Sequence, residues 1–183
     1  MNFNLINKTA RFIATIAIVF LSSSVFAEDW QFDIDKNISC VLYVSVLDMD
    51  TGRPIAAIGM NKMSTSEIDK LPKIAQALFQ ADVGFVLEAK RRLKLESGVD
   101  VQIRSKSARI SMKHTNNGVN NGGKSLYYSS SNENINIAKS LLNNENLTLE
   151  FNTDINSIVY GVVHSKGFKK QYDKFNQCIT LLN

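Results

Sequence analysis

The chain has 183 residues, of which 44% are hydrophobic and 21% are charged. Lys and Arg number 21 against 17 Asp and Glu, and the net charge of +4 is too small to indicate a nucleic-acid-binding protein. The length and the ordinary apolar fraction predict a folded chain with one sizeable core.

The N-terminus has the pattern of a secretory signal peptide. Lys8 and Arg11 precede an apolar run, and Val25 and Ala27 fit the small-x-small signal for cleavage. The apolar run is too short to span a bilayer, which needs about 20 residues. We therefore predict a cleaved leader over residues 1–27 and a single domain over residues 28–183, with an uncleaved anchor or a buried helix as alternatives. The predicted location is the bacterial periplasm or the secreted space, with no membrane span after cleavage.

The first part of the predicted mature chain has the pattern of a β-hairpin. From Trp30 to Asp48, apolar and polar residues alternate and β-branched residues are frequent, which predicts strand. The sequence DTGRP, with Gly52 and Pro54, predicts a turn, and IAAIGM predicts a returning strand.

The next part is predicted to contain a helix. Ser64 and Ser66 are candidate N-caps, with acidic residues in the first turn that follows. The sequence FVLEAKRRLKLES then predicts either a second helix that ends at Gly98 or two strands around a kink.

The second half of the chain alternates between both kinds of element. VDVQIRS, ARISMKH and SLYYSSS predict antiparallel strands, and the Asn- and Gly-rich sequence TNNGVNNGGK predicts a loop. We predict a helix over residues 135–142, strands over 147–151 and 157–165, and a final amphipathic helix that presents Phe168, Tyr172 and Phe175 on one face. These patterns favour an α+β domain, an antiparallel β-sheet with two or three packed helices.

The two cysteines lie near the two ends of the predicted mature chain. An even number of cysteines in an exported chain predicts a disulfide, here Cys40–Cys178, which would join the first long strand to the last helix and clamp a single domain. Two buried thiols or a link between two chains are the alternatives.

Motifs for catalysis or cofactor binding are weak. Gly118, Gly123, Lys124 and Ser125 match the P-loop pattern, but the neighbouring sequence lacks the strand before it and the helix after it. His114 and His164 have no metal-ligand spacing, and there is no G-x-S-x-G motif. We therefore predict a non-enzymatic protein with no catalytic residue, no cofactor and no metal site, although a dispersed triad would leave no sequence signal.

Basic residues form two clusters that are candidates for partner contact. Local acidic residues and a solvated helix face explain part of this charge, and an acidic partner protein or anionic polymer is the functional alternative. The candidate contact residues are Arg91 and Arg92 in the first cluster and Lys166, Lys169, Lys170 and Lys174 in the second.

The segment 138–179 has a recognisable order of elements. A short helix, a hydrophilic turn and two strands precede Gly-Phe, which leads an amphipathic helix that contains a Cys near its end. This order resembles the invasion-associated locus B family and the N-terminal domain of the flagellar motor protein MotY, where an early Trp…Cys segment is similar to Trp30…Cys40. The resemblance implies a non-enzymatic envelope domain that docks onto a larger assembly. MotY also has a C-terminal peptidoglycan-binding domain, for which this chain leaves no room, so cell-wall anchoring is not implied.

These observations lead to one functional hypothesis with two alternatives. We expect a protein-binding domain of the periplasm or secreted space that is a small subunit of a secretion or motility apparatus and binds envelope proteins. A secreted host-interaction or inhibitor protein is the first alternative and a hydrolase the second. The sequence leaves the oligomeric state open.

Overall fold

The computed structural model describes residues 29–35, 39–69, 84–89, 93, 95, 98–114, 125–129 and 131–182. The strands within these ranges are β1 (Gln31–Asp35), β2 (Ser39–Asp48), β3 (Pro54–Met63), β4 (Gly84–Ala89), β5 (Val101–Arg104), β6 (Arg109–His114), β7 (Ser125–Tyr128), β8 (Leu147–Asn152) and β9 (Ile158–Val163). The helices are α1 (Thr65–Ile68), α2 (Ser131–Leu142) and α3 (Phe168–Leu181). Because every strand pair is antiparallel, the predicted α+β class with an antiparallel sheet is confirmed.

The turn between β2 and β3 forms where the sequence predicts it. One carboxylate oxygen of Asp48 accepts hydrogen bonds from the backbone N–H groups of Asp50 at 3.0 Å and Thr51 at 2.7 Å. Gly52 follows with a φ of 65°, a left-handed conformation that glycine adopts without steric cost. The predicted hairpin is therefore confirmed.

The sequence FVLEAKRRLKLES begins as a strand. Phe85, Leu87 and Ala89 are buried while Val86 and Glu88 are partly exposed, which is the two-residue period of β4. The helical alternative is therefore wrong for residues 84–89, because β4 lies between β3 and β7 and is hydrogen-bonded to both. Most of the predicted helix after Ser64 and the predicted loop at residues 115–124 lie outside the described residues; α1 corresponds to the first turn of that helix.

Helix α2 begins at Ser131, four residues earlier than its apolar pattern predicts. The first turn of α2 is polar. The Asn134 side chain is buried there and is held by hydrogen bonds rather than by apolar packing. The Asn134 Oδ1 accepts a hydrogen bond from the backbone N–H of Phe85 at 2.8 Å and another from the Ser129 hydroxyl. Ile135, the first residue of the predicted helix, is 53% exposed.

The sheet closes on itself. Its strand order is β1-β2-β3-β4-β7-β6-β5-β8-β9, and β9 also pairs with β2, so β2 to β9 form a ring of eight strands. Leu47 and Asp48 of β2 pair with β9, whereas residues 39–43 of β2 pair with β1 on the same edge. Strands β1 and β9 therefore share one edge of β2. β9 pairs with the last residues of β2, and β1 pairs with the first ones.

The interior of the barrel is packed with alternating side chains. Cys40, Leu42, Val44 and Val46 of β2 all point inward and have no exposed surface. On β9 the inward position opposite this row is Gly161, where an added Cβ would lie 2.5 Å from Val46 Cγ1. The close approach of β9 to β2, which closes the barrel, therefore requires glycine at position 161.

Helix α3 packs on β1 and β2 and is covalently attached there. The predicted disulfide is confirmed: Cys178 of α3 is bonded to Cys40 of β2, and their Cα atoms are 6.1 Å apart. Both cysteines are buried, and residue 178 follows residue 40 by 138 positions. The bridge therefore joins the two ends of the described chain, as expected for one clamped domain.

Candidate functional site

The second basic cluster lies at the start of α3. Lys169 and Lys170 occupy its first turn, Lys174 follows one turn later, and Lys166 precedes the helix; all four are exposed. Residues four apart share a face of a helix, so Lys170 and Lys174 lie side by side. The opposite face of α3 contributes buried residues to the core. The four predicted lysines thus lie at the start of α3, with Lys170 and Lys174 on one side of the helix, and we call these four residues the α3 lysine face.

The position of this charge is unfavourable for the helix itself. The N-terminus of a helix carries a partial positive charge, so acidic residues stabilise it and lysines do not. The first turn of α3 has no acidic residue, and its N-cap, Gly167, makes no side-chain cap hydrogen bond. Helix stability therefore does not explain why Lys169 and Lys170 are there.

The lysines have little internal compensation. Lys166 lies 3.6 Å from Asp29, but the two side chains are 82% and 55% exposed, and such surface ion pairs contribute little. Asp173 lies one turn after Lys169, where we expected local pairing. Within the described part of the chain, no ion pair within 4 Å involves Lys169, Lys170 or Lys174.

An aromatic cluster holds the start of α3 in place. The indole Nε1 of Trp30 donates a hydrogen bond of 2.9 Å to the carbonyl oxygen of His164. The Trp30 ring packs edge-on against Phe168 with a centroid distance of 4.7 Å, and Phe168 stacks on Tyr172 at 5.1 Å. Trp30 and Phe168 are both buried, so these contacts attach the start of α3 to the core.

An open depression lies beside Lys166. It has a volume of about 450 Å³ and is lined by Asp29, Asn144, Asn146, His164, Ser165 and Lys166. The Ser165 hydroxyl and backbone N–H both donate to Asn146 Oδ1, at 3.3 and 3.0 Å, so this serine is oriented toward an amide rather than toward a histidine. Ser165 is buried and Lys166 is exposed.

The first basic cluster and most of the P-loop match lie outside the part of the chain that the structure describes. Arg91 and Arg92 lie outside the described residues, as do Gly118, Gly123 and Lys124 of the P-loop match. Ser125, the last residue of that match, begins strand β7. A P-loop continues into a helix, so the structure supports the interpretation of this motif as a chance match.

Two polar networks were not evident from the sequence. Asp100 accepts hydrogen bonds from the Lys113 Nζ at 2.5 Å, the Ser111 hydroxyl at 3.2 Å and the His114 backbone N–H at 3.3 Å. The Lys113 hydrogen bond, more than the others, lowers the pKa of Asp100, although partial burial opposes it. The alternation of β6 shows Ser111 and Lys113 on one face, but nothing in the sequence shows that Asp100 lies beside them.

The second network joins the β5–β6 turn to the end of α2. The hydroxyl of the fully buried Ser140 lies 2.8 Å from that of Ser105 and 3.2 Å from that of Ser107. Ser107 donates from its backbone N–H and its hydroxyl to Glu145, at 3.1 and 2.9 Å. The Ser107 hydroxyl is the main cause that lowers the pKa of Glu145. This arrangement fastens a turn to a helix and includes no histidine.

No group of three or more His, Cys, Asp or Glu side chains in the described ranges could hold a metal ion. In the same ranges, no helix has both the length and the apolar character that crossing a bilayer requires.

The fold and the surface define a small antiparallel barrel with a disulfide-bonded C-terminal helix and a basic face on that helix. The chain matches no protein-family description and no curated protein. Among solved structures, it is similar to the crystal structure of invasion associated protein B from Bartonella henselae, with a TM-score of 0.52 and 12% sequence identity. The similarity covers 82% of this chain and 94% of that chain. The predicted resemblance to this type of domain is thus confirmed for the fold, and that to MotY stays a prediction.

Proposed function

We propose that the chain is a non-enzymatic protein-binding domain that works outside the cytoplasm as a small subunit of a bacterial envelope assembly. In this proposal residues 1–27 are removed on export, and the α3 lysine face is the contact surface for an acidic region of a partner protein. Arg91 and Arg92 are the second candidate contact.

The observation that carries the proposal is the placement of charge on α3. Lys169 and Lys170 lie where the helix dipole disfavours them, and Lys174 extends the same surface. An acidic partner would complement this charge and would speed association through long-range attraction. Because Trp30 and the disulfide hold the helix, binding would not require the surface to be ordered first.

The compartment is supported by the disulfide. Such bonds form and persist in oxidising compartments and are rare in the bacterial cytoplasm. The leader pattern of residues 1–27 points the same way.

A site-specific crosslinking experiment tests the contact surface. A photoreactive amino acid replaces Gln177, which is exposed and lies one turn after Lys174. Crosslinking in the periplasm of the producing bacterium is followed by mass spectrometry of the products. We expect one predominant product that contains an envelope protein, and we expect it to disappear in the variant Lys169→Glu/Lys170→Glu/Lys174→Glu.

A matched control changes the same amount of charge elsewhere. Lys106, Arg109 and Lys139 are exposed and distant from α3 in the sequence, and their replacement by Glu should leave the crosslink unchanged. If both triple variants lose the crosslink equally, net charge rather than the α3 lysine face is responsible. If the crosslinked protein is a host protein, the alternative of a secreted host-interaction protein replaces our proposal.

A further inference from the structure

Strand β1 leaves one side of the sheet open. Its residues pair one to one with residues 39–43 of β2, without a register shift. β1 is also the terminal strand in the sheet order, and no described residue pairs with its other side. The backbone N–H and C=O groups of that side thus have no strand partner among the described residues, which is the arrangement that strand addition requires.

The open edge lacks three of the features that prevent strand addition, although it is short and carries two aspartates. Natural edge strands are protected by short length, charged side chains such as lysine, proline, a β-bulge or a covering element. The sequence of β1, QFDID, has no proline and no lysine, and its pairing with β2 has no bulge. Ile34 is an apolar side chain that remains 51% exposed on this strand.

The two faces of β1 differ in chemistry. Phe32 and Ile34 lie opposite the inward-pointing Leu42 and Cys40 and therefore share their face. Gln31 and Asp33 lie on the other face and are exposed, and Asp33 contributes a negative charge there. The Tyr43 hydroxyl donates to Asp33 at 3.1 Å, which holds this carboxylate on the outer face.

We propose that the open edge of β1 binds an extended segment of a partner protein as an added strand, and that this segment alternates basic and apolar residues. Its backbone would complete the hydrogen bonds of β1, its apolar side chains would lie beside Phe32 and Ile34, and its basic side chains would lie beside Asp33. The partner segment at this edge would be basic, whereas the partner of the α3 lysine face would be acidic.

The charge pattern disfavours a second copy of this chain as the occupant. In a symmetric antiparallel pair of two β1 strands centred on Asp33, the two Asp33 carboxylates would lie directly opposite each other. Like charges opposite each other in a sheet are destabilising. A basic segment removes this repulsion and replaces it with attraction.

The test uses a synthetic peptide of sequence Thr-Lys-Val-Lys-Val-Lys-Thr with blocked ends and the mature, disulfide-bonded protein. Binding is measured by calorimetry, and hydrogen exchange of the backbone amides in β1 is followed with and without peptide. We expect binding together with slower exchange of the β1 amides. A peptide of the same sequence that is N-methylated throughout cannot donate backbone hydrogen bonds and should not bind.

Two protein variants separate the edge from general electrostatics. Asp33→Lys should weaken binding about five- to tenfold, because an attractive cross-strand pair becomes repulsive. Asp154→Lys changes an exposed carboxylate in the β8–β9 turn by the same charge and should leave the affinity within about twofold, since exposed distant charges are screened.

Four results would overturn the proposal. Equal binding of the N-methylated peptide would show that charge alone attracts the peptide. Equal effects of Asp33→Lys and Asp154→Lys, or binding without protection of β1, would place the peptide elsewhere. A wild-type dimer that protects β1 in sedimentation and exchange experiments would make a second copy the occupant. None of these results depends on the α3 lysine face.

Discussion

At the scale of single residues, two small residues are important for the stability of the fold. Gly161 lies on β9 facing β2, in the region where the sheet closes. Asp100 precedes β5 and gathers three donors from β6. One position requires the absence of a side chain, and the other requires a negative charge.

Replacing Gly161 with Ala should destabilise the barrel. The new Cβ would lie 2.5 Å from Val46 Cγ1 and 3.1 Å from Phe151 Cε2, and both neighbours are fully buried. Overpacking of this kind costs about 1–3 kcal/mol, because β9 or Val46 has to move. Urea unfolding of the variant measures this loss, with Ser45→Ala on the outer side of β2 as the control. An unchanged unfolding midpoint for Gly161→Ala would show that the closure is loosely packed.

Replacing Asp100 with Asn should lower stability in a pH-dependent manner. The pKa of Asp100 is below its ordinary value of 3.8 in the folded protein, mainly because Lys113 donates a hydrogen bond to it. The stabilisation from the carboxylate is therefore fully present above about pH 4 and is lost as the pH falls through the folded pKa. We expect a loss of about 1 kcal/mol at pH 7, since the pair is partly exposed.

The measurement is the difference in unfolding free energy between wild type and Asp100→Asn at several pH values. This difference should shrink as the pH falls below about 4. Asp154→Asn changes an exposed aspartate in the β8–β9 turn, serves as the comparison and should show little difference in unfolding free energy at any pH. A difference for Asp100→Asn that stays constant with pH would show that its charge is not involved.

At the scale of elements, α3 is the element whose position depends most on distant parts of the chain. Cys178 is bonded to Cys40, and Phe168 packs on Trp30 at the start of β1. Chain ends fray unless they are held, and this end is held at both ends of its last helix. The α3 lysine face is therefore presented in one orientation.

Removing the disulfide should destabilise the protein and release α3 first. For Cys40→Ala/Cys178→Ala we expect a folded domain with a loss of about 2–5 kcal/mol, because the bridge no longer restricts the unfolded chain. Hydrogen exchange should become faster in α3 before it does so in β2 or β3. Chemical denaturation and amide exchange provide the two measurements, and the wild type under strong reductant provides an independent comparison. Uniformly faster exchange in all strands would contradict the expected order.

At the scale of the whole molecule, the described chain is one barrel with two exposed surfaces of opposite charge. The α3 lysine face is basic and the open edge of β1 is acidic, and α3 packs on β1. A domain with such surfaces can contact two different segments of a partner or two partners. The disulfide fits a location outside the cytoplasm.

Export should remove the leader after Ala27. The small-x-small pattern of Val25 and Ala27 and the acidic residue that follows indicate the cleavage position. The mature protein would begin at Glu28, next to Asp29, whose side chain pairs with Lys166. N-terminal sequencing of the protein from the periplasm is the measurement. Retention of Met1 on exported protein would make the leader an uncleaved anchor.

The sequence by itself determined most of the local structure and the disulfide. The alternation in VDVQIRS and ARISMKH predicted β5 and β6, the amphipathic pattern after Gly167 predicted α3, and the cysteine count predicted the bridge. The strands and the helix depend on neighbouring residues along the chain, so the spacing of apolar residues is enough to predict them. Two cysteines allow only one intramolecular disulfide, so their number is enough to predict the pairing.

Only the tertiary structure decided the remaining features. Residues 84–89 are a strand because β3 and β7 hydrogen-bond to them, and α2 begins at Ser131 because Asn134 finds buried partners. Closure of the barrel between β2 and β9, and the open edge of β1 beside it, depend on which distant strands meet. A hydrogen bond between residues far apart in the chain has no signature in local hydrophobic periodicity, and so the open edge of β1 was visible only after folding, whereas the sequence alone had already indicated the lysines of α3.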